Sequence, residues 1–211
     1  MHVTVIAKAP VAGQVKTRLC PPCTFEEAAH VAAAALADTL TAVDRVAAIT
    51  GARRVLLLEG DRQPWMPEQF EVVEQRGGGL EERLRNGFLD LGAGVIIGME
   101  TPHVAASLVE AVAAARRGVD TLGLATDGGY WMVGLCAASA VFAAELFDGV
   151  PMSGSDTGLA QLRRMHACGR QVRLLPMARD LDTIDDLWAV AAAGRGGLLA
   201  AAAELVLDRR D

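Results

Sequence analysis

The sequence predicts an α/β domain built on a mainly parallel sheet with helices on both faces. Two observations predict this fold class. Apolar runs of strand length alternate with helical patterns along the chain, which is typical of a sheet covered on both sides. One short run, residues 95–97, is wholly apolar, as expected of a strand in the middle of a parallel sheet.

The predicted elements follow one another without a break in the pattern. Strands are predicted at residues 3–7, 55–59, 70–73, 95–97, 121–125, 130–135 and 172–175. Helices are predicted at residues 25–48, 80–91, 104–117, 138–147 and 157–168, with a further helical region from residue 183. Thr24 and Glu27 have the spacing of a capping box. Because parallel sheets bind ligands at the carboxyl ends of their strands, functional residues are expected in the loops after strands.

Length and composition exclude several classes of protein. The 211 residues form one predicted domain, 1–211, without a linker or an internal repeat. A net charge of -6 argues against a nucleic-acid partner. The apolar runs are too short to span a membrane, no targeting segment is visible, and the four cysteines do not suggest a disulfide framework. We therefore expect a cytoplasmic protein with no membrane partner. The sequence does not decide between a monomer and a homodimer.

The loop after the first predicted strand has the composition of an anion-binding site. It reads AKAPVAGQVKTRL and contains both lysines of a chain whose 20 basic residues are otherwise arginines. An ammonium group is a compact point charge, and backbone N–H groups of small residues can approach phosphate oxygens. A solvated turn is the alternative, and neither a Walker A nor a G-x-G-x-x-G motif is present. The candidate nucleotide-binding residues are Ala7, Lys8, Ala9, Gly13, Lys16 and Arg18.

Two acidic residues after predicted strands are candidate metal ligands. Glu100 follows the central strand, where a carboxylate could hold a divalent cation that bridges phosphates. Alternatively, Glu100 has a structural role, because a negative charge before a helix interacts favourably with the helix dipole. Asp182 could supply a second carboxylate, but its spacing from Asp185 and Asp186 favours an N-cap role.

The turn Asp127-Gly128-Gly129-Tyr130 is a third candidate. Two glycines after an acid allow a tight turn and a close approach of the backbone to a ligand. A plain hairpin turn explains the same residues, because Asp-Gly is a strong turn signal by itself.

These loops, in this order, resemble the DUF2064 family of small proteins with a GT-A fold. The run AKAPVAGQVKTRL resembles the opening motif of that family, and GGGLEERL, LATDGGYWMVGL and DLDTIDDL fall where it has similar segments. The resemblance therefore covers nearly the whole chain. Members are described as glycosyltransferase-like and are linked to arsenosugar and radical-SAM gene clusters. More distantly, the layout is similar to phospholactate guanylyltransferases and CMP-sugar synthetases.

The resemblance implies a fold, a cofactor and roles for the first loop. The fold is a GT-A-like three-layer sandwich, and the implied cofactor is Mg²⁺ or Mn²⁺. Lys8, Gly13, Lys16 and Arg18 would surround the base and the phosphates of a nucleotide. Lys16, Arg18 and Asp127 are the predicted catalytic residues.

The resemblance also assigns the acidic loops. Glu100 stands where the family has an aspartate in a GSDCP-like segment, and Asp182 stands where related nucleotidyltransferases carry a second metal-binding aspartate. Both are therefore implied metal ligands. Gly128, Gly129 and Tyr130 would line the acceptor side. The chain departs from the family where it reads MET in place of SDC, and where it lacks the proline that often opens the last helix.

Taken together, these features predict a transferase that binds a nucleotide or nucleotide sugar and a small-molecule acceptor. Metal-assisted glycosyl transfer is the predicted function, since the family is described as glycosyltransferase-like. The first alternative is nucleotidyl transfer from an NTP to a small phosphorylated acceptor, with release of pyrophosphate. The second is a nucleotide-binding protein with impaired catalysis, because Glu100 departs from the family's aspartate.

Overall fold

The computed structural model describes residues 1–152, 154–193 and 197–207. Within these ranges the strands are β1 His2–Lys8, β2 Arg53–Glu59, β3 Glu71–Glu74, β4 Gly94–Gly98, β5 Asp120–Ala125, β6 Tyr130–Leu135 and β7 Val172–Ala178. The helices are α1 Phe25–Thr50, α2 Leu80–Leu91, α3 Ala105–Arg116, α4 Ala137–Ala140, α5 Ala143–Phe147, α6 Thr157–Ala167, α7 Ile184–Ala193 and α8 Leu198–Leu207. Short 3₁₀ turns lie at Thr17–Leu19 and Pro102–Val104.

The strands form one sheet in the order β3-β2-β1-β4-β6-β5-β7. Neighbours pair in parallel except at β6, which is antiparallel to both β4 and β5. Along β4, Val95 and Ile97 pack in the core shared with α1 and α3, whereas Ile96 packs in the core shared with α2, α5 and α6. This alternation places helices on both faces of the sheet. The predicted α/β fold class is confirmed.

Most predicted elements are present, with shifts of one or two residues at their ends and two larger differences. The helix predicted over residues 138–147 is divided into α4 and α5, because the Phe142 N–H donates to the Ser139 carbonyl oxygen at 2.9 Å and closes a turn between them. The last strand continues three residues beyond the predicted end to Ala178, where it pairs with Ala125 of β5. In the described ranges, no helix is long and apolar enough to cross a membrane.

His2 anchors the start of β1 in the interior. Its ring is fully buried, its Nε2 lies 3.1 Å from the Gly92 carbonyl oxygen, and its Nδ1 lies 2.7 Å from the Thr4 hydroxyl. The ring packs on β4 at Gly94, where a Cβ would lie 2.4 Å from it. Burial lowers the pKa of His2 to about 4, against the opposing effect of the Gly92 carbonyl.

The turn between β5 and β6 is held by backbone contacts. The Gly128 N–H donates to the Ala125 carbonyl oxygen at 3.2 Å, and the Gly158 N–H of α6 donates to the Gly128 carbonyl oxygen at 2.8 Å. Gly128 has a φ of 94°, and a Cβ there would lie 1.8 Å from the Ser155 carbonyl oxygen. Glycine is therefore required at this position both by the backbone conformation and by the close approach of the 154–157 segment.

Loss of stability in mild acid should depend on His2. The unfolded chain binds a proton at this residue below about pH 6.5, whereas the folded chain does not until about pH 4. As the pH falls from about 6.5 to about 4, this group should therefore lower the free energy of unfolding by up to about 1.4 kcal/mol per pH unit. Urea unfolding of the wild type and of His2→Gln at pH 7.0, 5.5 and 4.5 checks this. A difference between the two proteins that does not change with pH would contradict it.

Gly128→Ala should destabilise the protein much more than Gly118→Ala. Both glycines have positive φ, 94° and 81°, but a Cβ at Gly118 meets nothing within 4 Å. Gly118→Ala therefore measures backbone strain alone, about 1 kcal/mol. Gly128→Ala adds a collision with backbone, and we expect at least about 2 kcal/mol more. Urea unfolding measures both variants, and equal losses would show that the turn is free to shift.

Candidate active site

Four loops meet at the carboxyl ends of β1, β4, β5 and β7 and surround a cleft of about 830 Å³. This is the edge at which a parallel sheet is expected to bind ligands. The cleft lining includes eight residues that the sequence singled out, namely Ala7, Lys8, Arg18, Glu100, Asp127, Gly129, Tyr130 and Asp182. Four other candidates lie outside that lining, namely Ala9, Gly13, Lys16 and Gly128.

Lys16 connects the first of these loops to the last. Its backbone is left-handed, with a φ of 48°, and its side chain is only 6% exposed. The ammonium group contacts a carboxylate oxygen of Glu100 and the carbonyl oxygen of Leu181, and it lies 3.1 Å from Asp182 Oδ1. Three oxygens thus surround a buried positive charge, as they would surround a hard metal cation.

Asp182 faces two basic side chains. Lys16 contacts its Oδ1, and Arg18 Nη1 lies 3.6 Å from its Oδ2. The N-cap role predicted for Asp182 is wrong, because α7 begins one residue later than that role requires. Thr183 is the cap: its N–H and hydroxyl donate to Asp186 Oδ2 at 2.7 and 2.6 Å, and the Asp186 N–H donates back at 3.4 Å. The carboxylate of Asp182 is therefore left to face the cleft.

Asp127, Asp180 and Asp182 form a cluster of carboxylates, with one oxygen of each within 4.8 Å of the others. The β5–β6 turn fixes Asp127, whose Oδ1 accepts a hydrogen bond from the Gly129 N–H at 2.8 Å. The other two aspartates come from the loop after β7. Sequence reasoning missed Asp180, although its spacing from Asp182 was a usable signal, because residues two apart in an extended segment project to the same side.

The cluster has an excess of negative charge. Burial, together with the charges of Asp127 and Glu100, raises the pKa of Asp180 to about 6. Burial also raises the pKa of Glu100, although the positive charge of Lys16 opposes this effect. Glu100 lies beside the aspartates, and Lys16 engages its carboxylate. A bound cation would relieve the repulsion in this part of the cleft.

Near Lys8, at the end of β1, lie three polar residues that the sequence did not reveal: Glu59, Gln75 and Arg83. Lys8 Nζ is 3.8 Å from Glu59 Oε1, and Arg83 pairs with the same carboxylate. Gln75 donates from Nε2 to the Ala7 carbonyl oxygen at 2.6 Å and accepts from Arg83 Nη1 at 3.3 Å. Arg83 belongs to the segment GGGLEERL, which was the available signal for this group.

Two predicted nucleotide-binding residues shape the first loop without lining the cleft. Ala9 is buried, and its N–H donates to the Glu59 carbonyl oxygen at 2.8 Å, which continues the pairing of β1 with β2. Gly13 lies in an exposed turn with a φ of 77°. That conformation favours glycine and turns the chain towards Lys16.

Next to Asp127, the β5–β6 side of the cleft is lined by the largely apolar side chains of Tyr130 and Met152. The Tyr130 hydroxyl lies 3.8 Å from the sulfur of Met152. Burial raises the pKa of Tyr130, with a smaller contribution from Glu81, so this hydroxyl stays protonated and uncharged. The two side chains give the cleft a wall with an apolar surface and one neutral hydrogen-bonding group.

Comparison with solved structures shows the fold. A protein of Desulfovibrio desulfuricans G20, described as a proposed nucleotide-diphospho-sugar transferase, matches with a TM-score of 0.84 and 24% identity over 99% of this chain and 98% of that one. The 2-C-methyl-D-erythritol 4-phosphate cytidylyltransferase of Thermus thermophilus matches with a TM-score of 0.53 and 17% identity over 93% and 99% of the two chains. The fold of nucleotide-diphospho-sugar transferases, which the resemblance implied, is confirmed.

Comparison at the level of sequence shows the family. No curated protein matches the chain. The sequence model of one family, described as "Uncharacterized protein conserved in bacteria (DUF2064)", matches residues 32–154. That match covers more than half of the chain and includes the loop of Glu100 and the β5–β6 turn. The chain therefore belongs to the DUF2064 family.

Proposed function

We propose that this protein is a glycosyltransferase-like enzyme that uses a divalent cation to transfer a sugar from a nucleotide diphospho-sugar to a small acceptor. The observation that carries the proposal is the meeting of opposite charges in one cleft. A cluster of three aspartates faces the basic side chains of Lys16 and Arg18. A diphosphate group suits this arrangement, because basic side chains bind its oxygens and a metal ion links it to carboxylates.

The carboxylate cluster fits Mg²⁺ or Mn²⁺. These ions prefer oxygen ligands, and Asp127, Asp180 and Asp182 offer carboxylate oxygens within 4.8 Å of one another. The ammonium group of Lys16 acts as a stand-in ion beside them, because it is already surrounded by oxygens that include those of Glu100 and Asp182. A bound cation would offset the negative charge of the departing diphosphate.

Lys16 and the cation would compete for Asp182. Both oxygens of this carboxylate face a basic side chain, Lys16 on one and Arg18 on the other. A metal ion at Asp182 would be repelled by these two cations, so it would bind more tightly when Lys16 or Arg18 withdraws. A diphosphate in the cleft would offer Lys16 new oxygens to bind. Nucleotide and metal would then favour each other's binding, and this coupling would act equally in both directions.

In the transfer step the protein has to stabilise the leaving group and position the acceptor. The bond between the anomeric carbon and the diphosphate oxygen breaks, and its electron pair leaves with the nucleoside diphosphate. The acceptor oxygen bonds to the same carbon, and its proton passes to a carboxylate or to water. Lys16 and Arg18 would stabilise the charge of the leaving group, while the turn at Asp127 and Tyr130 would position the acceptor.

Two other functions each have one observation in their favour. Nucleotidyl transfer, with attack on the α-phosphate and release of pyrophosphate, is favoured by Arg18, whose 77% exposed side chain could reach the outer phosphates of an NTP. Binding without turnover is favoured by Glu100, because Lys16 engages the carboxylate that the family resemblance assigns to the metal. The products released distinguish all three functions.

With Mn²⁺, a panel of nucleotide sugars and a panel of small acceptors, we expect release of a nucleoside diphosphate. Chromatography of the products measures it. Asp182→Asn should lower the rate by about a hundredfold or more, the scale on which loss of one transition-state-stabilising group acts. Asp148→Asn makes the same change at an exposed aspartate outside the cleft lining and should leave the rate unchanged. Release of pyrophosphate from an NTP would support nucleotidyl transfer instead, and no product from any donor would support binding alone.

Lys16→Met should have opposite effects on the two ligands. Removal of the ammonium group frees the oxygens of Asp182, so the ligand-free protein should bind Mn²⁺ about tenfold more tightly, a change of about 1.4 kcal/mol. Binding of a nucleoside diphosphate should weaken, because one phosphate-binding charge is lost. Isothermal titration measures both affinities.

The matched control for this variant is Arg45→Met, which removes an exposed positive charge on α1 outside the cleft lining. It should change neither affinity. If Lys16→Met weakened binding of Mn²⁺, the ammonium group would not be competing for the site of the ion.

A further inference from the structure

The charged side chains are divided unequally between the two sides of the cleft. The basic residues in its described lining are Lys8, Arg18 and Arg83. Lys8 and Arg83 both pair with Glu59, on the side of β1, and Arg18 pairs with Asp182. Arg18 is one of the two residues to which the proposed function gives the diphosphate, and Lys8 belongs to the same loop after β1. Each of the three positive charges already has a carboxylate beside it.

The other side of the cleft carries negative charge and apolar surface. Among its described lining residues, the segments at 127–130 and 152–157 contribute one charged side chain, Asp127, and no basic one. Asp180 and Asp182 lie within 4.8 Å of Asp127. Counted together with Glu100 and with the cations Lys16 and Arg18, these carboxylates have two negative charges in excess, which one bound divalent cation would balance. An acceptor that approaches Tyr130 and Met152 therefore meets the carboxylate of Asp127 and no basic side chain among the described residues of that wall.

We infer that the acceptor is an uncharged molecule that carries a hydroxyl group and an apolar part, and that it binds against Tyr130 and Met152. The inference rests on the proposed function, and it separates glycosyl transfer to a neutral acceptor from any transfer to a phosphorylated one. A phosphate ester in this position would face Asp127 with no basic partner among the described residues of that wall. Like charges at short range, in a site partly shielded from water, strongly disfavour such binding.

The contacts of the wall fit a neutral acceptor in two ways. Tyr130 and Met152 present a ring and a thioether, which bind apolar surface. The Tyr130 hydroxyl has only the Met152 sulfur as a hydrogen-bond acceptor within the described residues, at 3.8 Å. Sulfur is a weak acceptor. The same hydroxyl can therefore turn to an acceptor oxygen at little cost.

Two probes that differ in charge test the inference. The wild-type protein is titrated with 4-nitrophenyl β-D-glucopyranoside and with 4-nitrophenyl phosphate, in Mg²⁺ and saturating pyrophosphate, so that the donor phosphate site is already filled. Saturation-transfer NMR measures both affinities without requiring turnover. We expect the glucoside to bind at least tenfold more tightly than the phosphate ester. Equal binding, or tighter binding of the phosphate ester, would overturn the inference.

A charge-introducing variant makes the test sharper. Met152→Lys places an ammonium group on the wall and should raise the affinity for 4-nitrophenyl phosphate at least tenfold. Ile49→Lys adds the same charge at a 73% exposed position on α1, outside the cleft lining, and should leave the affinity unchanged. An unchanged affinity in Met152→Lys would place the probe elsewhere and overturn the inference. The proposed function is tested separately by the nucleotide products, so a failure of either claim can be recognised on its own.

Discussion

The candidate site depends on one buried contact between opposite charges. Lys16, in the loop after β1, places its ammonium group between Glu100, which follows β4, and Asp182, which follows β7. The side chain is almost inaccessible to solvent, and an unpaired charge at such a position would cost several kcal/mol. The three loops are far apart in the sequence, and this one side chain links them at the edge of the sheet.

The same contact connects the fold to the proposed chemistry. An ammonium group surrounded by carboxylate and carbonyl oxygens shows that this part of the cleft is built to hold positive charge. The aspartate cluster beside it, with the pKa of Asp180 raised to about 6, has more negative charge than the side chains around it neutralise. We propose that a metal ion and a diphosphate complete this balance, with Lys16 passing from Asp182 to the phosphate. Beside Asp127, the uncharged side chains of Tyr130 and Met152 are left to bind the acceptor.

Local signals in the sequence predicted most of the fold and only part of the site. The capping box of Thr24 and Glu27 forms as expected, and α2 has the predicted bounds, because caps and helical periodicity act between near neighbours. Lys16 and Glu100 were each predicted as site residues, but their pairing depends on strand order, which no local pattern encodes. Asp180 was missed although it lies two residues from Asp182, because no local pattern shows that the fold brings both of them to Asp127.

The most direct test of the central claim is an anomalous diffraction map of crystals that contain Mn²⁺ and the nucleoside diphosphate identified in the product assay. We expect a manganese peak within coordination distance of Asp182 and of at least one of Asp127 and Asp180. We also expect that the Lys16 ammonium group has moved from Asp182 to a phosphate oxygen. A map in which Lys16 still contacts Glu100 and Asp182, with manganese bound elsewhere, would contradict the central claim.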